Sequence, residues 1–392
     1  MTILSAEPGG IYIHVPFCVR KCAYCDFYSN TDLSLIPSFL DALCREIRRA
    51  DAPPGLAFDT LYLGGGTPSV LAPDQIGHIL EAVRGRFAVR PDPEVTLEAN
   101  PGTVTPGTLA AFRRMGVNRI NIGVQSFSEA GLRFLGRIHT AEEARLAVRW
   151  AREAGFENIG LDLIYGLPKQ TEGDWIADMA AAAALAPHHL SCYMLTYEAG
   201  TPLTRRMAEG RFRPLSEDRV GGLFLTTIRF LAEKGYAQYE VSNFACSAEK
   251  RARHNRKYWS FAPYLGFGPS AHSFIPPERR WNIASLEEYL AFSAAGKPAV
   301  AGREVLSYAQ QIIEVVFLGL RQNDGIRISD FEEGFGLGFE ETFGGVLSEL
   351  RKNGWLKTDD ASRCALTPSG MLFLDGITSM FVSMDFPESP PM

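Results

Sequence analysis

The chain has 392 residues, 46% of them hydrophobic and 21% charged, with a formal net charge of −6 and seven cysteines. That balance is enough for a substantial buried core and excludes a disordered chain, while the modest negative charge without a long basic run argues against a nucleic-acid binder. No apolar run approaches the roughly 18–20 residues that a bilayer requires, the cysteines are too sparse for a disulfide framework, and no charged-then-apolar targeting pattern opens the chain, so the expected compartment is the cytoplasm.

From residue 11 to about 200, short apolar runs alternate with amphipathic ones. The runs at 11–15, 60–63, 94–98, 119–124, 158–164 and 189–195 read as strands, and those at 35–50, 73–87, 106–115, 141–154 and 172–185 as helices. Such alternation predicts an α/β fold with a parallel sheet wrapped by helices. Six repeats fit a partial (β/α)6 TIM-like barrel, whose site belongs at the carboxyl ends of its strands. A helix over 217–234 and a strand over 239–244 lead into an irregular stretch rich in aromatics, glycine and proline. Beyond it, helices over 308–320, 328–335 and 342–353 and a small hairpin of 355–357 with 365–367 predict a winged-helix-like α+β module. That module has no basic recognition helix, which speaks against DNA binding. The chain thus divides into a core barrel at 1–245, a connecting segment at 246–304 and an accessory domain at 305–380, with a proline-rich tail that reads as frayed.

The strongest chemical statement is Cys18-Val-Arg-Lys-Cys22-Ala-Tyr-Cys25, directly after the first strand. Three thiolates on one loop can hold three corners of a 4Fe-4S cube and leave the fourth iron open to a ligand that is not protein. Structural zinc instead closes a tetrahedron. His14 could complete a Cys3His set, but no second CxxC knuckle follows. Cys44, Cys192, Cys246 and Cys364 are isolated and read as buried small hydrophobes.

Polar residues then mark the strand ends. Gly64-Gly65-Gly66-Thr67-Pro68 closes the second strand, where glycine permits positive φ and close backbone approach; alone, it is equally a tight turn. Glu98 ends the third strand and Gln125 the fourth, Arg137 follows in Leu135-Gly136-Arg137-Ile138-His139, and Asp162 lies inside the fifth. An unpaired acid in an apolar strand is costly, and Arg137 is its expected partner. His188 and His189 read as surface residues before the sixth strand.

The CxxxCxxC loop after an initial strand resembles the radical S-adenosylmethionine (SAM) superfamily. With the glycine run and the Glu98, Gln125, Arg137 and Asp162 segments, the likeness narrows to the branch of oxygen-independent coproporphyrinogen III oxidase and its relatives, over residues 10–375. The resemblance implies a 4Fe-4S cluster on Cys18, Cys22 and Cys25, SAM chelated to its open iron, and an electron donor such as a flavodoxin or ferredoxin. It also implies competence for reductive cleavage of SAM to a 5'-deoxyadenosyl radical, without implying productive catalysis, and no catalytic residue is assigned. Tyr12, Gly65 and Glu98 would contact the cluster-bound SAM, with Tyr24 beside the cluster. Gly66, Thr67, Gln125, Arg137 and Asp162 would line the neighbouring space, where the oxidase holds a second SAM.

Two departures separate this chain from the oxidases. Their loop reads CxxxCxxCxC, whereas Phe27 stands here at the last cysteine, and only about ten residues precede the first strand. The basic segment His254-Asn255-Arg256-Lys257-Tyr258-Trp259 instead resembles the HNxxYW signature of haem-chaperone members of the superfamily. An imidazole can ligate haem iron, flat rings suit a porphyrin, and cations can pair with its propionates. This likeness implies haem b at His254, Tyr258 and Trp259, with His272 a second ligand candidate weighed against a core or loop role, and delivery of haem to acceptor proteins. The alternatives are coproporphyrinogen III oxidase activity and a radical SAM enzyme acting on another substrate.

Overall fold

The computed structural model describes residues 7–382 and residue 386, so the expectation of a frayed tail falls mostly outside the described residues. Six strands, β1 (Gly9–Val15), β2 (Phe58–Gly65), β3 (Val89–Ala99), β4 (Arg119–Gln125), β5 (Ile159–Tyr165) and β6 (His189–Met194), pair in parallel in chain order. Between them run α1 (Ile36–Arg49), α2 (Pro73–Arg86), α3 (Pro106–Arg114), α4 (Glu129–Leu135), α5 (Ala141–Glu153) and α6 (Glu172–Ala184). Several helix starts are written in the sequence: Thr105, Thr140 and Thr171 each accept from the third backbone amide of the helix they open, satisfying a donor the helix leaves free.

Side chains alternate across each strand. Ile11, Ile13 and Val15 of β1, with Leu61, Leu63, Ile120, Ile122 and Leu161, join the buried core under the helices. Each such side chain contributes on the order of 1.5–3 kcal/mol by leaving water. The positions between them (Tyr12, His14, Tyr62, Glu98, Asn121 and Asp162) turn to the opposite, polar side of the sheet.

Beyond β6 come α7 (Pro202–Ala208), α8 (Glu217–Glu233) and two short strands, β7 (Ala237–Gln238) and β8 (Asn243–Ala245), where one strand was expected. The stretch read as irregular holds α9 (Arg253–Trp259), β9 (Tyr264–Phe267), β10 (His272–Ile275), β11 (Glu278–Asn282), α10 (Leu286–Ala294) and β12 (Val300–Val305). β9 lies parallel to β1, and β10, β11 and β12 continue antiparallel from it. Among the described residues the sheet therefore has twelve strands in the order β12-β11-β10-β9-β1-β2-β3-β4-β5-β6-β8-β7.

The carboxyl-terminal part contains α11 (Tyr308–Leu320), β13 (Ile326–Arg327), α12 (Ile328–Phe335), α13 (Phe339–Lys352), β14 (Arg363–Cys364), α14 (Pro368–Met371) and α15 (Leu374–Val382). β13 pairs antiparallel with β14, and the expected hairpin is reduced to one bridge, Leu356 to Leu366. Phe331, Phe339 and Phe343 interlock edge to face, and Phe343 packs on Phe381 of α15. No helix among the described residues is long and apolar enough to cross a membrane.

Two expectations about single residues are corrected. His189 is not on the surface: it opens β6 with 1% of its surface exposed, and its Nε2 lies 2.8 Å from the Tyr239 hydroxyl. Of the four isolated cysteines, Cys192 and Cys364 are buried, but Cys44 is half-buried and Cys246 exposed.

Candidate functional site

A cavity of about 600 Å³ opens at the carboxyl ends of the parallel strands, with Cys18, Cys22 and Cys25 on one wall and Gly65, Gly66 and Glu98 among its other lining residues. The cysteine loop is pinned at both ends. At its root the Gly66 amide donates to Val15 O at 2.8 Å and the Thr67 amide to Phe17 O at 2.7 Å. At its return the Cys18 amide donates to Asn30 O at 3.0 Å, His14 Nε2 lies 3.0 Å from Tyr28 O, and the Tyr28 hydroxyl accepts from the Leu286 amide at 2.6 Å. Tyr24, midway along, packs beside Leu135, Ile164, Leu195 and Leu203.

The three thiols are free and half-buried, and burial raises the pKa of Cys18 and of Cys25. Arg137 Nη1 donates to Cys22 Sγ at 3.4 Å, and Thr67 Oγ1 lies 3.4 Å from Cys18 Sγ. Among the described residues no three His, Cys, Asp or Glu donors converge as they would on a single metal ion, whereas tetrahedral zinc needs each sulfur within about 2.3 Å of one point. His14 is not a free fourth ligand either, because its Nδ1 lies 3.1 Å from the Tyr12 hydroxyl and its Nε2 faces Tyr28 O. Three cysteines lining one cavity suit a group with several metal corners.

The rest of the cavity is short of partners. Asn121 Oδ1, Gln125 Oε1, Arg137 Nε and Asp162 Oδ1 are buried without a hydrogen-bond partner among the described residues, and all four residues line this space. Each orphaned atom costs about 1–3 kcal/mol unless a ligand or water meets it. Gln125 also holds φ at 67°, at a register shift between β4 and β5 that re-aims its side chain. Strain of that kind clusters where a ligand is bound.

Glu98 accepts from the Tyr62 hydroxyl at 2.6 Å and from the Gly65 amide at 3.2 Å. Burial, helped by the Asp162 carboxylate, lifts its pKa from 4.5 to about 7. Asp162 is also raised by burial, but its partner is not Arg137: it accepts from Asn121 Nδ2 at 2.6 Å. Arg137 follows the left-handed Gly136 at the end of α4 and reaches Cys22 Sγ, Asn100 Oδ1 and Gly123 O instead. Asn100 and Asn121 were not singled out from sequence, although their places at the end of β3 and within β4 are the signal that would have found them.

Tyr12 lies in an adjoining cavity of about 470 Å³, together with Tyr62, His254, Tyr258 and Trp259; Glu98 and Tyr193 line both spaces. His254 is 1% exposed, with Nδ1 2.8 Å from Thr60 Oγ1, Nε2 2.9 Å from the Tyr258 hydroxyl and its ring stacked on Tyr62 at 5.1 Å. Burial lowers its pKa to about 3, so it is neutral. Its helix is held firmly. The Arg253 and His254 amides donate to Glu94 at 3.2 and 3.1 Å, and Lys257, 6% exposed along its side chain, meets Asp59 at 2.7 Å.

Comparison with known proteins adds the following. The family model described as the Radical SAM superfamily matches residues 12–182, and that of the HemN C-terminal domain matches residues 306–373. The chain is 34% identical to the heme chaperone HemW of Lactococcus lactis over 380 residues, covering 97% of this chain and 98% of that protein. It is 34% identical to the heme chaperone HemW of Escherichia coli, covering 97% and 100%. Among solved structures, coproporphyrinogen III oxidase (HemN) from Escherichia coli, a radical SAM enzyme, superposes with a TM-score of 0.83 at 28% identity over 96% of this chain and 90% of that one.

Proposed function

Since the chain belongs to the HemW family of radical SAM proteins, we propose that it holds a 4Fe-4S cluster on Cys18, Cys22 and Cys25, binds SAM in the larger cavity, and binds haem b for delivery to acceptor proteins. The observation that carries the reading is that four buried polar atoms with no partner among the described residues belong to residues lining the same cavity as the three cysteines. A cluster with an open iron offers a binding point for the amino and carboxylate groups of SAM and an electron for its sulfonium bond.

The chain's own residues then divide the work. Thr67 and Arg137 lie within hydrogen-bond reach of two of the three sulfurs. Gly65 and Gly66 leave backbone accessible beside the cluster, Glu98 meets the ammonium group, and Asn121, Gln125 and Asp162 take up polar groups of the nucleoside. Tyr12 supports this wall through His14 and the adjoining cavity. Tyr258 and Trp259 supply aromatic faces of that second cavity, where a porphyrin edge can lie. The electron comes from a soluble carrier such as a flavodoxin or ferredoxin, and the protein works in the cytoplasm.

Glu98 makes SAM binding pH-dependent. With a pKa near 7, its anionic fraction rises about tenfold between pH 6 and pH 8, so the SAM dissociation constant of cluster-loaded protein should fall over that interval. Glu98→Gln should bind more weakly and show a flat profile, by calorimetry at several pH values. Stability moves the opposite way. A carboxyl raised from 4.5 to about 7 favours the folded state below pH 4.5, and that contribution is lost as pH rises through 7. Without SAM, Glu98→Gln should therefore melt above wild type at pH 8 and close to it at pH 5.

The oxidase alternative has its own test. Phe27, 70% exposed at the wall of the larger cavity, occupies the place of the additional cysteine in the oxidase-like loop. Anaerobic, cluster-loaded protein given SAM, reductant and coproporphyrinogen should form no protoporphyrinogen. Appreciable turnover by wild type would make the chain an oxidase instead.

A further inference from the structure

We propose that His272, and not His254, is the side chain that ligates haem iron, on an open shelf built from Gly266, His272, Trp281 and Gly302. This inference rests on the haem reading given above and names the iron ligand within it.

The seven histidines differ in what their nitrogens already do. His14 and His254 have both ring nitrogens engaged, and His139, His188 and His189 each have one, respectively against Val124 O, the Ile159 amide and the Tyr239 hydroxyl. His139, His189 and His254 are also buried to 3% exposure or less. A ligand for iron must present a nitrogen lone pair to the porphyrin, with open space around it. Bringing His254 to that duty would break two hydrogen bonds and pull a ring from its stack on Tyr62. His78 and His272 are exposed and make no hydrogen bond through the ring with the described residues. His78 stands alone on the outer face of α2, whereas His272 stacks on the indole of Trp281, with ring centroids 6.1 Å apart and planes 27° from parallel.

The His272 ring is exposed and has Trp281 as its aromatic neighbour. His272 pairs across β11 with Trp281, which pairs across β12 with Gly302, and the indole lies where a Gly302 side chain would stand. On the other side, a side chain at Gly266 would collide with the His272 carbonyl. Gly302 thus lets the indole pack against its strand and Gly266 lets β9 approach the His272 backbone, while the imidazole itself stays exposed beside Trp281.

The shelf also faces the right way. Tyr12 pairs with Gly266, Gly10 with Tyr264, and Tyr264 with Phe274, two residues from His272 on the same strand. Paired residues share a side of the sheet, so His272 and Trp281 continue the polar side that carries both cavities, two strand spacings, or about 10 Å, from Tyr12. An aromatic row joins it to α9: Tyr258 to Tyr264 at 4.8 Å, then Tyr264 to Phe274 at 6.2 Å. The cysteine loop is tied close by, through Tyr28 and Asn30 to Leu286 and Glu287, just past β11. In this arrangement the 254–259 segment is the positioning wall and His272 the ligand.

The test is a haem titration of full-length, cluster-loaded protein under anaerobic conditions, read as difference absorption and electron paramagnetic resonance spectra. Wild type should show a histidine-ligated haem. His272→Ala should lose that signature, bind at least about tenfold more weakly, and recover the signature with added imidazole. His254→Ala should keep the histidine signature, and Trp281→Ala should weaken binding without changing the ligand. Circular dichroism melts report whether each variant is folded, and His272, exposed on its strand, should be replaceable without loss of fold. A His272→Ala protein that keeps the wild-type spectrum, or a His254→Ala protein that alone loses it, overturns the assignment while leaving haem binding intact. Wild type that binds no haem overturns the underlying haem reading, and the assignment with it.

Discussion

Replacing Cys22 by serine should strip the protein of its iron while leaving the fold in place. Anaerobically reconstituted wild type is expected to hold about four irons and four sulfides per chain, and the variant under a tenth of that, because three protein ligands are the fewest that fix such a cube. A hydroxyl is a hard, weakly acidic substitute for a thiolate. The loss should extend to SAM binding, since no iron would remain to chelate its amino and carboxylate groups. Backbone integrity should not suffer. The loop is held by Ala23 donating to Leu135 O and accepting from the Leu203 amide, and by Cys18 and Asn30 at its neck, none of which needs the Cys22 sulfur. Only the 3.4 Å contact to Arg137 Nη1 is altered, and a serine can still accept from it. Cluster-free wild type and Cys22→Ser should thus melt within about 0.5 kcal/mol of each other. Iron and sulfide analysis beside an anaerobic absorption spectrum decides the matter: an iron-rich variant, or a colourless wild type holding zinc, would refute the cluster assignment.

Much of the fold was legible because its signals are local. Strands at 11–15, 60–63, 94–98 and 119–124 each fall within a strand of the sheet, since a core strand must supply apolar residues and a turn must follow. The polar residues of the site were legible for a related reason. Glycine, glutamate and glutamine at successive strand ends have no core to enter, so position alone marked them. What escaped depends on distant pairing. β9 and β10 are four residues each, β9 interrupted by Gly266, and they become strands only because β1 offers β9 a free edge and β9 and β11 then flank β10, none of which their own sequence announces. The partner of Asp162 escaped likewise, since Asn121 reaches it across adjacent strands while Arg137 is taken up by Cys22, Asn100 and Gly123. His254 was legible as part of a motif with Tyr258 one turn further along the same helix, but its contact with Thr60 comes into view only when β2 and α9 are brought together.

Gly65→Ala should be among the most damaging single-methyl changes in the site. Gly65 holds φ at +106°, and an added Cβ would lie 2.6 Å from two atoms of the His14 ring. The backbone conformation alone costs about 1–3 kcal/mol in a residue with a side chain. Relief of the clash would push His14 off Tyr28 O, and with it the return of the cysteine loop, and would move the Gly65 amide away from Glu98. Strain, loop and carboxylate thus fail together, and we expect a stability loss of about 2–4 kcal/mol with SAM affinity lowered at least about a hundredfold. Gly55→Ala separates the two causes. Gly55 also has positive φ, at +80°, but nothing lies within 4 Å of where its Cβ would stand. That variant should lose about 1 kcal/mol in a denaturant melt, with iron content and SAM affinity unchanged. If Gly65→Ala behaves like Gly55→Ala in both measurements, the close approach of His14 has no part in holding the cysteine loop. A loss of SAM affinity at normal stability would instead place the whole effect in the ligand's contact with the glycine backbone.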